Sequence, residues 1–395
     1  MTTNSEAVAC TPLPPSRLPA VGTTIFTVMS ALAQQAGAVN LGQGFPDFDP
    51  DPALPQAVCD AMRAGHHQYP PMAGVPALRQ AIARKVAQLY GRAYDPEGEI
   101  TVTAGATQAI LTAILAIVHP GDEVIVLEPC YDSYVPNIEL AGGVAVRVAL
   151  TPGTWRPDFA SVAAALTPRT RAIVINTPHN PSGTAWSADD LQHLWDVLRD
   201  TDVLVIGDEV YEHMVYDGRP HASLATHPGL AARSFIVSSF GKTYHVTGWK
   251  VGYCLAPAPL MAEFRKVHQF NVFTVNTPMQ HGLAAYMADP TPYETLSAFY
   301  QAKRDRFRAG LSQTRLQLLP CEGTYFQCVR YDGLAVPERS LDETAFCQWL
   351  TRAIGVAAIP LSAFYGDGRS QGVVRLCFAK RDETLQEALR RLARL

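Results

Sequence analysis

Between residues 100 and 256 the chain repeats one pattern: a short, almost purely apolar run, then a stretch with helical spacing. The runs are ITVT (100–103), VIVLEP (124–129), AIVIN (172–176), VLVIGD (203–208), FIVSS (235–239) and WKVGYCLA (249–256). Helical spacing recurs over Gln108–Val118 and over Asp189–Leu198, where Leu191, Leu194, Trp195 and Leu198 share a face. Upstream, Leu78, Ile82, Val86 and Leu89 repeat in the same way. A strand apolar on both sides must be covered on both sides, which predicts an α/β fold with a mainly parallel sheet between helices. Beyond about residue 285 the texture changes. Tyr293–Gln313 reads as one long, charge-studded helix. Strands follow around Thr324–Val329 and Val373–Phe378, then a helix over Glu383–Leu395. The expected division is a flexible arm at 1–17, a segment at 18–49 that joins a small α+β domain, a large domain at 50–285 and the small domain proper at 286–395.

Composition removes several function classes. At 395 residues and 48% hydrophobic, the chain can build its core without metal or disulfide staples. Its 32 basic and 36 acidic residues give a net charge of −4, so nothing in the bulk charge favours nucleic acid or an anionic membrane. The longest apolar stretch, Ala109–Val118, is interrupted by Thr112 and too short to span a bilayer. Eight cysteines are scattered with no C-x-x-C pair, which argues against structural zinc and for a reducing compartment. The N-terminus has no charged-then-apolar leader pattern, so the expected location is cytoplasmic.

In a parallel sheet, ligands bind beyond the C-terminal ends of the strands, and residues of marked chemistry collect there. ITVT leads into Gly105-Ala106-Thr107 at a helix start, where free N–H groups and the dipole suit an anion. VIVLEP is followed by Tyr131, and AIVIN by an Asn180 fixed between two prolines. VLVIG ends in Asp208, with Tyr211 three residues on; FIVSS ends in Ser239, followed by Lys242 and then Lys250. Gly241-Lys242-Thr243 has a superficial likeness to a nucleotide phosphate loop, but the required glycine at 236 is Ile. A dinucleotide fingerprint at Gly42-Gln43-Gly44 lacks its third glycine. One cofactor uses every fragment: pyridoxal phosphate needs a lysine amine, a carboxylate for its ring nitrogen, donors to its phenolate oxygen, an aromatic over its ring and an anion cradle.

With these residues in place, the sequence resembles the fold-type-I, class I/II aminotransferases, and most of all the methionine, glutamine and kynurenine aminotransferase group. LGQGFPDF (41–48), NTPHNPSG (176–183), GDEVYEH (207–213), SSFGKTYHVTGWKVGY (238–253) and VRLCFAK (374–380) carry the likeness. It implies an aspartate-aminotransferase-like fold with a seven-stranded sheet, and a ping-pong transfer from an L-amino acid to a 2-oxo acid. It also implies that Lys242 is the Schiff-base lysine and proton carrier, Asp208 the partner of the pyridine nitrogen, and Tyr211 and Asn180 the contacts of the phenolate oxygen. Tyr131 would stack on the ring, while Gly105, Ala106, Thr107, Ser239 and Lys250 would hold the phosphate. Tyr69 would reach the phosphate of a neighbouring subunit, so the resemblance implies a homodimer. Arg375, with Asn180 and Gly44, would clamp the substrate α-carboxylate; Ile25, Phe26, Phe273 and Tyr365 would line the side-chain pocket. Thr274 stands where kynurenine-using relatives often carry His, which favours methionine-like, aromatic or glutamine donors. Three other readings stay open here: a carbon–sulfur β-lyase with the same cofactor, a regulator built on the same fold, and, more distantly, a nucleotide hydrolase.

Overall fold

A computed structural model describes residues 14–334 and 340–395. Residues 1–13 of the expected N-terminal arm lie outside the described residues. The strands in chain order are β1 (Val39–Asn40), β2 (Ile100–Thr103), β3 (Glu123–Glu128), β4 (Val144–Ala149), β5 (Thr170–Asn176), β6 (Leu204–Asp208), β7 (Ser234–Ser239), β8 (Gly252–Leu255), β9 (Gln317–Leu318), β10 (Phe326–Arg330), β11 (Val356–Ala357), β12 (Ile359–Pro360) and β13 (Val373–Cys377). Seven form one sheet in the order β2-β8-β7-β6-β5-β3-β4, parallel except for β8, which runs against both neighbours. Four form a smaller antiparallel sheet, β12-β13-β10-β9.

The apolar runs form strands because both of their faces are buried. In the central strands alternate residues fall into two separate cores. Ile125, Ile173, Val205 and Ile236 point to one; Val126, Val174, Ile206 and Val237 point to the other. The second core is closed by the helix Gly105–Ile117, which buries Ile110, Ile114 and Ile117. Each such Val or Ile side chain contributes about 1.5–3 kcal/mol by leaving water. The helix Ala188–Leu198 covers the opposite face, with Leu191, Leu194 and Leu198 in the first core and a Ser187/Asp190 capping box at its start.

Three elements differ from expectation. Strand β8 covers only the end of WKVGYCLA, because Lys250 sits in the left-handed region (φ 55°) after a short turn at Thr247–Trp249. Strand β4 is an addition to the expected strands; it is a sheet edge with Val144 and Arg147 exposed, and Arg147 interrupts its apolar residues. The helix expected from Tyr293 runs Leu296–Leu311, after a separate turn Thr291–Glu294 begun at Pro290 and Pro292. The segment before residue 50 crosses to the small sheet's side of the molecule: β1 pairs in parallel with β11, Val39 against Val356 and Asn40 against Ala357.

Candidate active site

Parallel register sets Asn176 beside Asp208 and Asp208 beside Val237, so the ends of β5, β6 and β7 open onto one cavity of about 250 Å³. Gly105, Ala106, Thr107 and Tyr131 line it from the neighbouring strand ends. Asn180, Asp208, Tyr211, Ser239, Lys242 and Lys250 line its floor, and Gly44, Phe26 and Arg375 approach from the small sheet's side.

Asp208 is 5% exposed, and burial pushes its carboxyl up to about 6. The Tyr134 hydroxyl donates to its Oδ2 (2.6 Å) and the Val210 N–H to its Oδ1 (3.3 Å), which offsets part of that burial. Asn176 fixes the loop around it, donating from Nδ2 to the Asp208 carbonyl (2.8 Å) and accepting from the Asn180 N–H (2.7 Å). Burial brings the Lys242 amine down to about 8. That amine donates to the Gly44 carbonyl (3.2 Å) and to the Tyr325 hydroxyl oxygen (3.0 Å).

Arg375 is 1% exposed. Its Nη1 donates to Asn180 Oδ1 (2.6 Å) and its Nη2 to the Gly42 carbonyl (3.0 Å), while its Nε has no partner. The guanidinium lies 3.9 Å from the Phe326 ring centre, with Phe364 and Phe26 at 5.2 and 5.4 Å. Burial lowers its pKa, and no carboxylate pairs with it among the described residues. A buried cation whose hydrogen-bond partners are neutral, with N–H groups to spare, is suited to a bidentate anion. The start of the helix Gly105–Ile117 is also suited to an anion, because the preceding Ala104 offers no side-chain cap. Gly105 holds φ +79°, and a Cβ there would lie 3.4 Å from Lys250 Nζ, filling the space between that amine and the helix N–H groups. Gly44 is needed for another reason: a Cβ would meet Phe326 Cζ at 2.8 Å.

Four expected residues lie outside this cavity. Tyr365 corrects the expectation: its hydroxyl accepts from Gln371 Nε2 (2.6 Å), and it lines a different hollow beside Arg330 and Arg369. Ile25 opens the first helix and packs on the apolar core, so only its neighbour Phe26 reaches the cavity. Tyr69 and Phe273 meet edge to face (5.3 Å) on the surface, where Tyr69 is 81% exposed. His179 is a packing residue, held by Ser182 Oγ (2.6 Å) and the Pro129 carbonyl (2.9 Å). Three contributors went unforeseen: Tyr325, Phe326 and Tyr134. Tyr134 lies three residues past Tyr131, a spacing that could have shown it; Tyr325 and Phe326 sit at the start of β10, away from the parallel strand ends.

Fold and site together define a pyridoxal-phosphate aminotransferase, and the profile of the family described as "Aminotransferase class I and II" matches residues 36–392: the chain belongs to that family. It is 52% identical over 384 residues to the methionine aminotransferase of Escherichia coli (strain K12), covering 97% of this chain and 98% of that one. It is 43% identical over 390 residues to the probable N-succinyldiaminopimelate aminotransferase of Mycobacterium tuberculosis, covering 96% and 97%. The crystal structure of YbdL from Escherichia coli, described as having a methionine aminotransferase function, superposes with a TM-score of 0.95 at 52% identity, over 98% of this chain and 100% of that one. The family cofactor is pyridoxal 5′-phosphate, and the donor set fits it: a capless helix start with Lys250 for a phosphate, and a buried carboxylate, Asp208, suited to a cationic nitrogen.

Proposed function

We propose that this chain moves the amino group of methionine, or of an L-amino acid with a similar or aromatic side chain, to a 2-oxo acid by alternating half-reactions. Arg375 carries the reading: its buried guanidinium, without a salt-bridged carboxylate among the described residues and with its Nε unpartnered, suits the α-carboxylate common to donor and acceptor. The residues that would hold pyridoxal 5′-phosphate are Lys242 at its aldehyde carbon, Asp208 at the ring nitrogen, Tyr211 and Asn180 at the phenolate oxygen, Tyr131 against the ring, and Gly105, Ala106, Thr107, Ser239 and Lys250 around the phosphate. When bound, the cofactor supplies an electrophilic carbon and a ring that draws electrons from the carbon losing its proton. Lys242 takes the proton from the substrate Cα at its Nζ, and its lowered pKa keeps a useful share of the amine neutral. Tyr134 and Val210 hold Asp208 in place, and Phe26 and Phe326 shield the ion pair at Arg375 from water.

Methionine is favoured by the Escherichia coli relative's activity and by the cavity wall, where Phe26, Phe45 and Ile110 are apolar and Arg375 is the one guanidinium among the described residues that line it. Thr274 in the position that often carries His in kynurenine-using relatives weighs against kynurenine. A donor panel on cofactor-loaded protein, scored by 2-oxo acid formed, tests this. Methionine and aromatic donors should exceed aspartate by roughly tenfold or more in kcat/KM. Pyruvate and ammonia from a cysteine conjugate, with no 2-oxo acid required, would overturn it.

The same reading takes the protein as a cytoplasmic homodimer with residues 50–285 and 286–395 as its two domains and 18–49 attached to the second. The exposed Tyr69, Phe270 and Phe273 support a partner subunit, the seven free cysteines among the described residues support a reducing compartment, and the β1–β11 pairing supports the attachment. No helix among the described residues is long and apolar enough to cross a membrane.

A further inference from the structure

We infer that Tyr325 is a catalytic residue whose hydroxyl, together with the Gly44 carbonyl, aims the free Lys242 amine for proton transfer. This rests on the reading of Lys242 as the proton carrier. Tyr325 is fully buried at the start of β10, and its ring is held edge-on by Tyr211 (5.2 Å) and Phe326 (4.9 Å). Its hydroxyl donates to the Gly44 carbonyl at 2.6 Å. That proton is therefore spent, and toward Lys242 the phenol oxygen can only accept. Lys242 Nζ lies 3.0 Å from it and 3.2 Å from the Gly44 oxygen.

A neutral amine has two N–H bonds and one lone pair. Both N–H bonds are taken here by acceptors that cannot donate back, so the lone pair is turned away from both and left free to receive a proton. A lysine has four methylenes of rotamer freedom, and two fixed acceptors remove much of it before the reaction begins. In the step, the substrate Cα–H bond breaks, an N–H bond forms at Nζ, and the electron pair stays with the substrate.

The test is Tyr325→Phe, which keeps the ring and removes the hydroxyl: the acceptor for Lys242, the donor to the Gly44 carbonyl and the hydrogen bond shared with Tyr211. With cofactor-loaded protein and methionine deuterated at Cα, kcat should fall by about 10- to 100-fold with KM little changed, and the deuterium isotope effect should grow as proton transfer becomes slower. A second readout needs no turnover. In cofactor-stripped protein, competitive acetylation of Lys242 is followed across pH by mass spectrometry of its peptide. The charged and titratable groups around the amine are Asp208, Arg375, Lys250, Cys377, Tyr211 and Tyr325. An oxygen that only accepts favours the ammonium form, so its loss should move the labelling midpoint to lower pH. Unchanged kcat and isotope effect, or an unmoved midpoint in protein that melts like the wild type, would overturn the inference. Borohydride fixing the cofactor to a lysine other than 242 would overturn the underlying reading instead. As a second variant, Tyr325→Gln returns an acceptor oxygen, and partial recovery of kcat over the Phe form is expected; none would count against the role.

Discussion

At the scale of single residues, the site is a set of groups held in charge states that water would not favour. Asp208 is the clearest. Its carboxyl is pushed up to about 6 by burial, against an ordinary 3.8. Below the ordinary value, folded and unfolded chains both carry the proton and the group contributes nothing. Between the two values the folded chain keeps a proton that the unfolded chain releases, so stability falls as pH rises, by up to about 3 kcal/mol. A cation set against the carboxylate removes that loss. Pyridoxal 5′-phosphate should therefore raise Tm more at about pH 7.5 than at about pH 5, and Asp208→Asn should shrink the difference. Equal increments in the wild type would contradict the pairing of this acid with the ring nitrogen. Much of the site could be foreseen at this scale because Asp208, Ser239 and the Asn180 loop each terminate an apolar run. Tyr325 and Tyr365 could not be placed, since their positions depend on how the small sheet is hung against the large one.

At the scale of elements, Glu212 ties three of them together behind the site. Its carboxylate accepts from Lys85 of the helix Pro76–Tyr90 (2.7 Å), from Tyr90 at the end of that helix (2.5 Å), from Ser238 of β7, and from Tyr253 of β8 (2.9 Å). Burial alone would raise its pKa; Lys85 and the donated hydrogen bonds outweigh that and hold it well below the usual carboxylate range. Its stabilisation is thus complete above the ordinary carboxylate pKa and is lost as pH falls through the depressed one. Glu212→Gln would leave Lys85 charged and buried without a counter-ion, and should cost about 3–5 kcal/mol in urea unfolding. A loss under about 1 kcal/mol would show that the network is relaxed by other groups. The apolar strands and amphipathic helices were legible because burial dictates their periods. Strand β4 was not, because an edge strand can leave Val144 exposed.

At the scale of the whole molecule, the shared-site reading makes a prediction about mixtures. If Tyr69 acts in a partner's site, a dimer of one Lys242→Ala chain and one Tyr69→Ala chain contains one site with both defects and one with neither. Mixing and reassembling the two weak variants should then recover activity well above either alone; activity no better than their average would place Tyr69 in its own subunit's site or outside catalysis. The segment from Leu41 to Asp47 has a consequence at this scale too. It is bound to β13 and the residues just after that strand, through the Cys377 N–H to the Leu41 carbonyl (2.7 Å), Lys380 Nζ to the Phe45 carbonyl (2.8 Å) and the Arg381 N–H to Asp47 Oδ1 (2.5 Å). On the proposed division into two domains, Gly44, Tyr325 and Arg375 would travel together, with Lys242 and Asp208 on the other domain. A hinge rotation that widens the crevice would withdraw the grip on the substrate and the aim of the base in the same stroke, so an unclosed enzyme is also an unreactive one.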